Sequence, residues 1–121
     1  MGYEGFRSLL VWQRSRDLAI ELYRLFPHQH LRPASGLIEQ IHRSAVSVPS
    51  NIAEGDERQT DREAVRYFYI AKGSLAELRT QLDIAHHADL LTSDQWIYLD
   101  KECDEIGKMI GGLIKARSKP H

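Results

Sequence analysis

A chain of 121 residues is the size of one domain, enough to bury roughly two thirds of its unfolded surface around a single core, so residues 1–121 are read as one domain. Sixteen lysines and arginines against seventeen acids leave a formal charge of -1, which excludes the global positive field that usually accompanies nucleic-acid binding and makes any basic site local. One cysteine excludes an intrachain disulfide, and without a secretory apolar segment or long apolar span the expected setting is a reducing cytoplasm with no membrane partner.

Glycine and proline break the chain at Pro27, Pro33, Gly36, Gly55 and Pro120, with no useful strand-like alternation between them, so the remainder reads as helix. A first helix over about residues 10–26 carries Trp12, Ser15, Ala19, Leu22 and Phe26 in 3-4 spacing, widened by Val11, Leu18 and Leu25. A second, over about 36–54, follows Ser35 as a candidate N-cap, turns Ile38, Ile41, Ala45, Val48 and Ile52 inward, and has Gly55 available as its stop. Pro49 falls inside it. An interior proline costs about 3 kcal/mol, so Ser50 and Asn51 are candidates to bridge the freed backbone and fix a kink.

The third helix, 61–87, opens on T-D-R-E, a capping box from Thr60 to Glu63, and places Ala64, Phe68, Ala71, Leu75, Leu78, Leu82 and Ala85 on one stripe. The fourth, about 93–115, opens on a second capping box, Thr92 to Gln95, and carries Trp96, Leu99, Cys103, Ile106, Ile110 and Leu113 inward. Its acids lie early and its bases late, as the helix dipole favours. Four amphipathic helices joined by short loops predict an all-α, antiparallel up-down-up-down four-helix bundle, with a frayed R-S-K-P-H tail.

Opposite the core stripe of the third helix lie Tyr69, Ile70, Gly73, Ala76 and Thr80, with Ile84 on the same half. A helix apolar on both sides is usually buried on both, and a mid-helix glycine costs about 1 kcal/mol against alanine unless close approach repays it, so a homo-oligomer contact is expected there. Gly107 and Gly111 share that close-approach spacing in the fourth helix. Arg58, Arg62 and Arg66 recur every four residues and, extended by Lys72 or Arg79, form a local basic ridge, the candidate surface for RNA, DNA or a protein partner. Interleaved Asp61 and Glu63 weaken its field. Asn51 and Glu54 are expected to form a structural polar network with the third helix, where Ser74, Arg66 and Lys72 are the candidate partners.

Catalytic signals are missing. No G-x-S-x-G, phosphate-cradling loop, CxxC or HExxH occurs, and Cys103 sits on an apolar stripe, so neither an enzyme nor a small-molecule substrate is expected. Glu39 with His42 and Asp83 with His86 have the E/D-x-x-H spacing of di-metal bundles. Yet Glu39 lies about 140° from its own core stripe, and Asp17 and Glu21 of the first helix sit off the core face, so no metal or other cofactor is expected. His28 with His30, and His86 with His87, read as solvated pairs.

With these helices placed, S-V-P-S-N-I-A-E-G, Y-F-Y-I-A-K-G-S-L-A-E-L and L-L-V-W-Q resemble the bacterial four-helix bundle protein family, first named for proteins encoded in intervening sequences of large-subunit ribosomal RNA genes and also labelled S23 ribosomal protein. The resemblance spans nearly the whole chain. It implies a small cytosolic bundle without enzymatic activity that assembles into a ring-shaped homopentamer. One branch is similar to the basic accessory protein of diversity-generating retroelements, which binds RNA, DNA and a reverse transcriptase; this chain departs from that branch in its near-neutral charge.

Overall fold

In the structure, a computed structural model that describes residues 5–27 and 35–118, a short 3₁₀ turn at Gly5–Ser8 leads into four helices. They are α1 (Leu10–Leu25), α2 (Ser35–Asp56), α3 (Asp61–His87) and α4 (Ser93–Arg117), and no strand occurs among the described residues. Each helix packs on its neighbours in sequence and α4 returns to α1, which closes the up-down-up-down arrangement; α2 and α3 share the largest contact and α1 and α4 the smallest.

The core follows the predicted stripes. Every inward position expected in α2 and α3 is buried. In α4 the last buried position is Ile114, with Leu113 half-buried, because a straight helix of 3.6 residues per turn drifts off a strict heptad stripe over several turns. Trp96, also expected inward, is half-buried at the end of the bundle.

The caps are less symmetrical than the sequence suggests. At α4 both halves of the box form: Thr92 Oγ1 accepts from Gln95 N at 3.1 Å, and Gln95 Oε1 accepts from Thr92 N at 2.9 Å. At α3 Thr60 Oγ1 accepts from Glu63 N at 3.2 Å, and no return bond from the Glu63 side chain is found among the described contacts. Ser35 is the first helical residue of α2 rather than the residue before it.

Gly55 does not stop α2. The helix runs on to Asp56, and Gly5 is the glycine that takes a positive φ among the described residues. Gly55 is instead buried against α3, where a Cβ would lie 2.6 Å from Phe68 Cε1 and 2.9 Å from the Ala64 carbonyl oxygen. Its missing side chain lets the backbones of α2 and α3 approach beside the fully buried Phe68 ring.

Candidate interaction surfaces

The outer face of α3 is exposed throughout its middle. Tyr69 and Ile70 are 57% and 44% accessible, and Gly73, Ala76, Thr80 and Ile84 are exposed beside them. Among the described residues a Cβ at Gly73 would meet nothing within 4 Å, so none of their packing requires glycine there. Gly107 differs: a Cβ there would touch Leu75 Cδ2 at 3.4 Å, across the α3–α4 seam. Gly111 faces open space.

The polar network is assembled differently from the expected Asn51–Glu54–Ser74 set. Asn51 Nδ2 donates to the Ser47 carbonyl at 2.9 Å and lies 3.0 Å from Ser47 Oγ, which in turn sits 2.8 Å from Ser74 Oγ on α3. Ser47 is the missing joint. Its position one turn before Asn51 was the available signal, since an i,i+4 pair shares a helix face. Glu54 is not a member: it is exposed and accepts from Arg58 at 2.7 Å. Nor does Asn51 serve the acceptor that proline frees. Pro49 releases the carbonyl of Ala45, four residues back, whereas Asn51 reinforces that of Ser47. Ser50 is exposed, and α2 passes through the buried Pro49 without a break.

The five-residue basic ridge divides. Arg58 bonds Glu54, donates to Tyr67 Oη at 2.8 Å and stacks 4.5 Å over the Tyr67 ring. Arg79 is paired with Asp100 at 3.0 Å and Asp104 at 3.7 Å on α4, and its hydrogen bond to Asp100 raises its pKa further. Those two cations are paired with acids of their own subunit at its surface. Arg62, Arg66 and Lys72 are exposed and have no ion pair among the described residues.

The metal-like pairs do not converge. Among the described residues no group of three or more His, Cys, Asp or Glu side chains is placed to hold an ion. Glu39 is exposed, whereas His42 is buried with its ring stacked on Tyr23 at 3.9 Å. His86 is not simply solvated: it is half-buried, stacks on Trp96 at 4.9 Å and lies 3.3 Å from Ser93 Oγ. His87 is exposed and sits on Asp83. His28 and His30 lie outside the described residues. Cys103 is fully buried, and burial pushes its thiol up to about 12, so it stays protonated as a core residue.

Two features left no trace in the core spacing. The thin α1–α4 seam is clamped by Arg14, whose guanidinium reaches both carboxylate oxygens of Glu102 at 2.9 and 2.8 Å and Glu105 Oε2 at 2.6 Å. A groove of about 470 Å³ also runs between α1 and α2, lined by Ala19, Ile20, Tyr23, Val46 and Pro49 and edged by Arg16 and Arg24. Large residues off the core stripes, Ile20, Tyr23 and Val46, were its sequence signal.

Among the described residues no helix is long and apolar enough to cross a membrane. No protein of curated function matches the chain. Its fold is similar to the crystal structure of a protein of unknown function, of the S23 ribosomal protein family, from Bacteroides thetaiotaomicron VPI-5482. The TM-score is 0.78 at 22% identity, over 88% of this chain and 99% of that one, and the likeness shows the shared fold. The sequence pattern of the 23S rRNA-intervening sequence proteins matches residues 7–112, and the chain belongs to that family.

Proposed function

We infer that the protein is a non-catalytic, homo-oligomeric interaction module of the cytoplasm, and that the outer face of α3 is part of the contact between copies. One observation carries this reading: Tyr69, Ile70, Gly73 and Ala76 form an exposed apolar face around a glycine that the subunit itself does not need. Replacing that glycine in a lone exposed helix would gain up to about 1 kcal/mol, so its presence calls for a neighbour. A pentameric ring is the assembly that the resemblance implies, and nothing in the spacing of residues selects that number.

Light scattering tests the reading. The protein is expected to run as a closed multiple of its 13.9 kDa subunit, and Gly73→Leu to release subunits by steric overlap while leaving their helix content intact. A wild-type monomer at high micromolar concentration would overturn the assembly, and a Gly73→Leu variant that stays assembled would remove that residue from the contact.

A nucleic-acid-binding accessory role is the competing reading, favoured by one observation: Arg62 and Arg66 stand exposed one turn apart, with no ion pair among the described residues. They occupy the first two turns of α3, and Tyr69 to Thr80 occupy its middle, so a ring that used both surfaces would not place them in conflict. Recovery of bound partners from cell extract with and without nuclease separates the two readings.

A further inference from the structure

We propose that the α1–α2 groove is the seat for α3 of a second copy of this chain, so that subunits join head to tail, each offering its α3 outer face and receiving that of its neighbour in its groove. The inference rests on the homo-oligomeric reading above and adds the surface that α3 meets. Three features of the molecule support it.

Shape comes first. Ile20, Tyr23 and Val46 wall a concave strip that continues past Tyr23 toward Glu39 and His42. Along α2, from Pro49 to Glu39, that strip is about 15 Å long at 1.5 Å per residue, and Tyr69 to Thr80 along α3 is about 16 Å. The α3 face is a ridge of side chains thinned at Gly73, the form that enters a groove and lets the backbone approach its walls.

Charge comes second. The groove is edged by Arg16, Arg24 and Arg43 and by one acid, Glu39; Arg16 is paired with Asp17 at 2.9 Å, whereas Arg24 and Arg43 are exposed with no ion pair among the described residues, so the rim is basic on balance. Within the Tyr69–Thr80 stretch the exposed acid is Glu77, about 40° round the helix from Gly73. The stretch's two cations, Lys72 and Arg79, lie about 100° or more away on the side facing α4, where Arg79 is held by Asp100. A seated α3 therefore brings an acid, and no free cation from its centre line, to a basic rim.

Placement comes third. The ridge lies on α3 and the groove between α1 and α2, so self-pairing of two α3 faces would leave Ile20, Tyr23 and Val46 in water. A ridge-to-groove contact covers both surfaces and closes into a ring when the rotation between neighbours divides a full turn.

A mixing experiment tests this. Val46→Glu places a charge in the groove at an exposed position and leaves the α3 face intact; Gly73→Leu spoils the α3 face and leaves the groove intact. Each variant alone, with wild-type helix content and a cooperative melt at a temperature lowered by the lost association, is expected to be a 13.9 kDa monomer. Mixed one to one they should form dimers of twice that mass and nothing larger, because only one sound ridge and one sound groove remain per pair. Ile20→Glu serves as a second groove variant. Val46→Glu and Ile20→Glu proteins that assemble like wild type would overturn the groove while leaving the oligomer standing. Folded variants that are monomeric alone and remain monomeric when mixed would overturn the pairing of these two surfaces. A wild type that is itself monomeric would overturn the oligomer and this inference together.

Discussion

Gly55 of α2 lies against the ring of Phe68 on α3, so closely that a Cβ at position 55 would come within 2.6 Å of Cε1 and 2.9 Å of Cδ1. Phe68 is wholly buried and the Ala64 carbonyl blocks the other side, so neither neighbour has free space to retreat into. Gly55→Ala gains about 1 kcal/mol in helix propensity. The overlap outweighs that gain, and the variant should lose about 1–3 kcal/mol in urea unfolding at fixed protein concentration. Repeating the substitution in a Phe68→Leu background should shrink the loss. A neutral Gly55→Ala would show that the ring can swing away.

Asn51→Ala removes two hydrogen bonds to Ser47 and leaves the Ser47–Ser74 contact in place, so a loss of about 0.5–1.5 kcal/mol is expected. A double-mutant cycle with Ser74→Ala should return a coupling energy of about 0.5 kcal/mol or more, since both side chains act on the same hydroxyl. Strict additivity would mean that Asn51 and Ser74 do not communicate through Ser47.

The Arg14 clamp makes stability depend on acid. The hydrogen bond from Arg14 holds Glu105 below its ordinary value of 4.5, so the pairing contributes fully above that pH and its contribution is lost as pH falls through the lowered value. Arg14→Gln should therefore flatten the fall in melting temperature below pH 4.5 and lower stability at pH 7. Parallel acid profiles for the two proteins would show that the clamp makes no net contribution, as is common for half-exposed ion pairs.

With Arg58 and Arg79 engaged inside the subunit, the free part of the basic ridge is Arg62 and Arg66 with Lys72. If nucleic acid binds there, Arg62→Ala with Arg66→Ala should reduce the slope of log affinity against log salt by roughly 1 to 2 units, and Arg79→Ala should leave it unchanged. Binding that is absent at low salt, or indifferent to Arg62 and Arg66, would remove this reading.

The helices, the Thr60 and Thr92 N-caps and most of the core stripes were legible along the chain because they are local. The side chains of Ala64, Phe68, Ala71, Leu75, Leu78, Leu82 and Ala85 recur at helical spacing, and each of them is buried in the fold. The Thr92–Gln95 box closes three residues from where it starts. What the spacing could not supply was the partner of each outward or polar side chain. Glu54 lies one turn from Arg58 and turned to it rather than to α3; Arg79 found its acids on α4; Gly55, a plausible stop by local rules, is a contact made by a ring thirteen residues further on. Local sequence determines which face of a helix is apolar, because the turn angle alone sets the face. The tertiary structure decides which groups meet across two helices, because that depends on the relative height and rotation of elements that no single segment encodes.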